Sequence, residues 1–406
     1  MRIFKEKNGI TLIALVITVI VLLILAGVTI SALSGDNGIL TRAKEAKEKT
    51  EQAQKEEEGT LSNMEDMLDN VKFKNINTQD TKPGKVLPTN ATILENDGNK
   101  GIVIKDQNNN EWVWVEVPKT TVFAGLTIDT TQELTEQNYN NIRDKLIAYV
   151  GVYRKGSTTQ NCNWADEWYD GCGMTSDEYT EAYQKMLKSV YTYGGFWIGR
   201  YESGIEGSIE DVSKARTSHT TVTIGTSPKA ISQKDAIPYN YVYCSEAQAL
   251  AQEITPNGSY TSSLMFGIQW DLVCKFLEVK GGLTIQDINS DSRSWGNYNN
   301  VTIEITSDKA KQKGTPWTAI TEIKPEKGIL LTTGASDKTK KMNIYDFAGN
   351  EWEWTLEKTF NNSSPCGGRG GLYDVSSSRN PASSRGDVET IFNNDSLGFR
   401  TTFFAN

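Results

Sequence analysis

The chain has 406 residues, with 42 Lys and Arg against 51 Asp and Glu, one histidine and five cysteines. That length allows two or three domains, or one large domain with appendages, and the net charge of −9 gives a polyanion no footprint, so nucleic acid is not expected as a partner. The single histidine, His219, excludes every site that needs two or three imidazoles and leaves a serine or cysteine triad only one base.

No charged residue occurs from Asn8 to Gly35, and residues 10–33 read ITLIALVITVIVLLILAGVTISAL. As a helix rising about 1.5 Å per residue this stretch is long enough for a hydrocarbon core of about 30 Å. Arg2, Lys5 and Lys7 precede it, which predicts a cytoplasmic N-terminus and a single-pass membrane protein whose C-terminal domain is extracellular. A cleaved secretory signal is the rival, with a typical apolar stretch of about 7–15 residues and a small-residue cleavage site; no small-x-small site follows here. Lys5-Glu6-Lys7-Asn8-Gly9 followed by Ile-Thr-Leu-Ile resembles the N-terminus of type IV prepilins. The resemblance implies a leader over 1–9, cleavage after Gly9, methylation of Ile10, a transmembrane helix over 10–33, and a prepilin peptidase and pilin-like subunits as partners. Ala14 stands where that family usually carries a glutamate. The departure implies a tethered or minor pilin-like role, not a subunit of a major filament.

Residues 34–74 are expected to form a charged helical stalk, since residues 41–58 carry five basic and six acidic side chains at helical spacing. From 75 to 100 the chain turns to Asn, Thr, Asp, Pro and Gly, which predicts a linker. All ten Trp and all sixteen Tyr follow Glu111, so the large buried side chains of a domain over 101–406 are concentrated there. GIVIKDQNNNEWVWVEVP at its start predicts a hairpin around an Asn/Asp turn. Helices are expected over 176–190 with Ser176 as N-cap, over 245–254 with Ser245 as cap, and over 266–280. Short strands and long polar loops fill the remainder, an α+β class with much irregular structure.

Several motifs carry a second resemblance: Phe196-Trp197-Ile198-Gly199-Arg200-Tyr201-Glu202, then Ile344-Tyr345-Asp346-Phe347-Ala348-Gly349-Asn350-Glu351-Trp352-Glu353-Trp354, then Arg369-Gly370-Gly371, Arg385, and Leu397-Gly398-Phe399-Arg400. In this order they resemble the formylglycine-generating enzyme / sulfatase-modifying-factor domain, a variant of the C-type lectin fold, over most of 101–406. Alternation of Trp352 and Trp354 with Glu351 and Glu353 reads as a strand, and Arg400 suits a partly buried ion pair with Glu353. Active members of that family oxidise a cysteine with copper held by two thiolates beyond R-G-G. The matching positions fall near Val375 and Asn380, with Ser376, Ser377 and Ser378 nearby and no cysteine after Cys366. Serine does not replace a thiolate toward Cu(I), so copper and the formylglycine-generating activity are not expected. The ergothioneine-type relatives need a histidine triad that one histidine cannot supply.

The family implies a calcium ion at Asp346 and Glu353 through carboxylates and at Gly349 and Glu351 through backbone oxygens; an Asp346 turn cap and a Glu353–Arg pair are the alternative. Cys162 and Cys172 are the expected disulfide, with Cys244 and Cys274 as buried thiols and Cys366 left odd. His219 is expected on an exposed loop or strand. WADEWY, Trp164 to Tyr169, reads either as a recognition patch or as satellite core. Residues 372–396 hold six Ser, three Asn and three Asp between two rigid motifs, a polar loop of the kind that grips ligands in lectin-type folds. Its position is similar to the diversified stretch of diversity-generating retroelement variable proteins. The expected ligand-binding residues are Tyr373, Asp374, Ser377, Arg379, Asn380, Arg385, Asp387, Phe392, Asn393 and Asn394. The expected function is a membrane-anchored, surface-displayed module that binds an external protein or glycan, with a copper-dependent oxidase as the alternative.

Overall fold

The computed structural model describes residues 16–25, 42–55, 57, 76–155, 164–254 and 259–406. The chain divides into two compact units, 1–72 and 73–406. In the first, residues 16–25 and 42–55 are helical, and Lys47 and Glu51 form an i,i+4 pair at 3.7 Å. Among the described residues no helix is long and apolar enough to cross a membrane. The leader over 1–9, Ala14 and the remainder of the expected span 10–33 lie outside the described residues, as does most of 56–75.

In the second unit the longer strands are, in chain order, β1 (Thr92–Glu95), β2 (Val103–Lys105), β3 (Glu111–Glu116), β4 (Gly195–Gly199), β5 (Tyr260–Leu264), β6 (Trp352–Lys358), β7 (Cys366–Arg369), β8 (Arg385–Val388), β9 (Leu397–Phe399) and β10 (Thr401–Ala405). The longer helices are α1 (Glu136–Val150), α2 (Ser176–Tyr193), α3 (Cys244–Glu253) and α4 (Gly267–Val279). One sheet has the order β1-β2-β3-β4-β10-β5 and a second the order β8-β7-β6-β9, in which β6 and β9 run parallel. β9 and β10 are separated by Arg400 alone, so the chain passes from one sheet to the other at that residue. The mixed α+β class follows from the sequence as expected, and β2 and β3 form the expected hairpin.

β3 is buried on both faces. Trp112 and Trp114 join Trp197 and Phe403 in one cluster, while Val113 and Val115 alternate into the main core with Phe196 and Ile198. The Trp114 and Trp197 rings meet edge to face at 5.2 Å. Each indole N–H needs an acceptor in so dry a place. Trp114 Nε1 donates to Thr81 Oγ1 at 2.6 Å, Trp197 Nε1 to the Val86 carbonyl, and the Tyr260 hydroxyl to the Leu87 carbonyl. The expected linker over 75–100 is therefore part of the domain. Ile76, Val86 and Ala91 are buried, and β1 pairs with β2. Its Asn, Pro and Gly content reflects the irregular path of a covering segment; the sequence showed that composition but not the indoles beneath it.

Helix α2 begins one residue after the cap that seals it. Thr175, not Ser176, is the N-cap, because Glu178 three residues on completes a capping box with it. Likewise α3 starts at Cys244, and the Glu246 carboxylate takes the Tyr243 and Val222 amides, so Ser245 is not the cap. α1 was missed in the sequence. Its apolar residues Ile142, Leu146 and Val150 recur at four-residue spacing, but they are diluted by Asn and Gln, and its capping box uses Asn138. Thr81→Val should leave the Trp114 indole N–H buried without an acceptor. We expect a loss of about 1–3 kcal/mol, measured by urea denaturation of the full-length protein, with no change if the segment over 76–95 does not cover the sheet.

Candidate ligand-binding site

The second sheet carries charge where sheets ordinarily carry hydrocarbon. Glu353 on β6 stands opposite Arg369 on β7, which stands opposite Arg385 on β8, so the three share one face. Arg369 bonds Glu357 through Nη1 and Asp271 of α4 through Nη2, both at 2.7 Å. Arg385 Nη2 reaches both Asp271 oxygens at 2.6 and 2.7 Å, its Nε reaches Glu357 at 3.1 Å, and its Nη1 donates to the Tyr153 carbonyl at 2.7 Å. Arg154, from the short helix Val152–Lys155, adds contacts to Glu357 at 2.9 Å, Asp271 at 3.3 Å and Asp166 at 2.8 Å. Three guanidinium groups thus face three carboxylates, and all of these side chains but Arg154 are essentially sealed from solvent. Burial pushes the Glu357 carboxyl up, but Arg385, Arg369 and Arg154 outweigh it and hold the group at about 2. Asp166, buried and with one strong cationic partner, is instead held above the ordinary carboxylate range.

Arg385 also forms part of the wall of a cavity of about 720 Å³, within the range of small-ligand sites. Trp164 lies opposite, with its ring 5.9 Å from the Arg385 guanidinium. Trp352 closes another side, its indole lying across β7 and β8 where both strands carry glycine. A Cβ on Gly386 would meet the Trp352 ring at 2.6 Å, and one on Gly368 at 3.5 Å. Trp352 Nε1 is buried and has no protein hydrogen-bond partner. Asn289 and Ser290 follow from the helix Ile285–Asn289, and Ser378, Arg379, Asn380 and Ser384 from the loop after R-G-G. That loop folds back over Gly371, where a Cβ would meet the Asn380 carbonyl at 2.3 Å; Gly370 holds φ +76°.

Of the residues expected to bind ligand, Arg379, Asn380 and Arg385 line this cavity. The others are placed elsewhere. Tyr373 is buried with its hydroxyl on Asp395 at 3.1 Å, and Asp395 also meets the Lys313 ammonium. Ser377 is buried, donating to Asp291. Asp374 is exposed and outside the cavity. Asp387, Phe392, Asn393 and Asn394 lie on β8 and beyond it, and none lines the cavity. The expected continuous loop over 372–396 is interrupted by β8, since Arg385 must reach inward to Glu357 and Asp271. Trp352, Asn289 and Ser290 are members the sequence reading did not include, and Trp164 enters from the segment read as either a recognition patch or satellite core. WADEWY supplies both a cavity wall in Trp164 and core in Tyr169, and the W-E-W strand places its glutamates inside and leaves Trp352 half-exposed.

The residues expected around calcium gather in a second buried acidic group. Asp346 accepts from the Gly334 amide at 2.6 Å and the Thr339 hydroxyl at 2.7 Å, and Glu353 pairs with Arg400 at 2.9 Å. Glu351 accepts from Asn240 at 2.8 Å through Oε1, while its Oε2 has no partner. Gly349 and Asn350 hold left-handed φ values of 78° and 64°, the expected turn. Both side-chain ligands already have protein partners, and among the described residues no group of three or more His, Cys, Asp or Glu is arranged to hold a metal ion. Glu202 lies here too, bonded to the Asn350 amide at 2.5 Å and the Glu351 backbone N–H at 3.2 Å. Burial, then the neighbouring Asp346, Glu351 and Glu353 carboxyls, push Glu202 far above its ordinary range; burial raises Glu351 well above it too. His219 is half-buried, stacked on Tyr243 and 3.0 Å from Glu246.

Glu357→Gln removes one charge from the arginine cluster and leaves guanidinium groups buried without compensation. A loss of about 3–5 kcal/mol is expected at pH 7, measured by chemical denaturation. The wild-type carboxylate, held low when folded, contributes stability above the unfolded carboxyl range, and the gap between the two proteins should close as pH falls through that range toward about 2. Glu351→Gln should act in the opposite sense. A carboxyl held high when folded stabilises below its unfolded pKa and loses that contribution as pH rises. The variant is thus expected to match wild type near pH 4 and exceed it by about 1–3 kcal/mol at pH 8; equal stability at both pH values would contradict the assignment.

No family model matches the chain, and no curated protein matches it. Among solved structures it is similar to the crystal structure of CarF, at 11% identity and a TM-score of 0.33 over 52% of this chain and 87% of that one. It is also similar to Treponema denticola variable protein 1, at 15% identity and a TM-score of 0.28 over 52% of this chain and 85% of that one.

Proposed function

We propose that the domain is a ligand-binding module whose cavity, walled by Trp164, Trp352 and the loop after R-G-G, receives part of an external glycan. The observation that carries this is the pair of indole rings, Trp164 and Trp352, on the cavity wall. With them stand hydroxyls of Ser290, Ser378 and Ser384 and amides of Asn289 and Asn380. Arg385 adds little net charge, because Glu357 and Asp271 neutralise it, and the loop adds one cation, Arg379. Aromatic faces with dispersed neutral hydrogen-bonding groups and a single cation suit a polyhydroxylated ring better than a strongly charged ligand.

The reading extends to the whole chain. The motif order supports a formylglycine-generating-enzyme-type, C-type-lectin-like domain, and the apolar segment over 10–33 supports display from a membrane through a pilin-like tether. The absence of thiolates near Val375 and Asn380 supports a binder in place of a copper oxidase. Substitution of the loop residues Ser378, Arg379, Asn380 and Ser384 would change specificity without touching the arginine cluster, which suits a variable protein of the retroelement type. The test is a glycan array probed with full-length protein. We expect a defined subset of glycans bound above background, and about tenfold weaker binding for Trp352→Ala, which removes the ring from the cavity wall. No glycan bound, or unchanged binding by Trp352→Ala and Trp164→Ala alike, overturns the assignment.

A further inference from the structure

Two of the buried thiols meet. Cys244 opens α3 and Cys366 opens β7, 122 positions apart in the chain, yet their Sγ atoms lie 3.6 Å from each other. Neither residue has exposed surface. The Tyr169 hydroxyl sits between them, 3.1 Å from Cys366 Sγ, 3.4 Å from Cys244 Sγ and 2.8 Å from the Thr355 carbonyl. Each of the other described thiols is placed differently. Cys172 Sγ faces the Met174 carbonyl at 3.6 Å, and Cys274 is buried in α4. Cys162 lies outside the described residues.

We propose that Cys244 and Cys366 are a disulfide-forming pair, closed as the domain folds wherever a protein or small-molecule disulfide is supplied. In the step, one cysteine thiolate attacks the oxidant disulfide, forming a mixed disulfide and releasing one thiolate of the oxidant. The second cysteine thiolate then attacks the chain sulfur of that mixed disulfide and releases the other. Two cysteine thiols are oxidised to one disulfide, one oxidant disulfide is reduced to two thiols, and the two protons pass to the departing sulfurs. The sulfurs need to close from 3.6 Å to about 2.05 Å.

Hydrogen bonding favours the oxidised pair. Reduced, the site holds two S–H donors and one O–H donor around a single carbonyl and two weak sulfur acceptors. Oxidised, only the Tyr169 hydroxyl remains, and Thr355 O accepts it. Burial pushes the Cys244 thiol well above its ordinary range, so in the sealed, reduced site Cys244 holds little thiolate, and closure belongs to folding. The crosslink would tie α3 to β7 beside the strand that leads into the cavity loop; the Cys244 amide also donates to the Thr390 carbonyl just after β8 at 2.9 Å. This inference is independent of what the cavity binds.

The test refolds full-length protein from denaturant in a mixture of reduced and oxidised glutathione, blocks free thiols, digests the protein and maps the peptides by mass. The expected result is a linked pair joining the Cys244 and Cys366 peptides, lighter by two hydrogens than the pair of free-thiol peptides and separated by a dithiol reductant. The link should be lost in Cys244→Ser and in Cys366→Ser. Both thiols alkylated in the refolded wild type, or a link joining either cysteine to a different one, overturns the proposal; the wild-type map decides even where a variant fails to fold.

Discussion

The second sheet depends on Arg369. Its guanidinium is fully buried, held between Glu357 and Asp271, and it stands in register with Arg385 on one side and Glu353 on the other. A buried guanidinium is tolerated only when its charge is compensated, here through Nη1 and Nη2 while Nε has no hydrogen-bond partner, since removing one carboxylate leaves an uncompensated ion in a region of low polarisability. That requirement fixes α4 against the sheet through Asp271, brings in the short helix carrying Arg154, and turns β8 inward at Arg385. The cluster is a geometric constraint before it is a source of stability, because replacing such ions with hydrocarbon is often neutral or stabilising.

The cavity is a by-product of the same constraint. Arg385 points to the ion cluster and opens β8, so the chain after it belongs to a strand, and the irregular path is confined to the residues between Gly371 and Ser384. The two glycines beneath Trp352 leave the sheet surface bare and let one large ring form a wall where two side chains would otherwise stand. A fixed floor with a short polar loop on one side lets the loop residues change without change in what holds the loop. Arg400 does the analogous work between the sheets. At the single residue between β9 and β10, it bonds Glu353, the Gly199 carbonyl on β4 and the Tyr345 carbonyl.

Glu202, Asp346, Glu351 and Glu353 sit nearby with one arginine, Arg400, bonded to Glu353, so burial works against their ionisation. Glu357 in the three-arginine cluster and the acidic group around the left-handed turn therefore respond to pH with opposite sign: Glu357 gains from ionisation, and the acidic group gains from protonation. Two such responses in one domain confine its stability to a window set by both.

Much of the architecture was legible in the amino acids. Period-two runs in EWVWVE, helical spacing over 176–190 and 266–280, and turn chemistry at Gly349-Asn350 are local properties, and each appears where its residues dictate. The Arg400–Glu353 pair and the involvement of Arg379, Asn380 and Arg385 were also readable, since charge and loop composition bracketed them. Three things were not. The segment over 76–95 looks like linker by composition, but buried indoles on β3 and β4 require its carbonyl and hydroxyl acceptors. Trp164 and Trp352 become cavity walls through Arg385 and two glycines that are distant from Trp164 in the chain. Cys244 and Cys366 meet across 122 positions that no spacing rule connects. The sequence by itself determined which residues are strand, helix and turn, because those follow from period and backbone preference. Only the tertiary structure decided which distant donors, charges and sulfurs share one buried space, because that depends on desolvation among groups the chain brings together last.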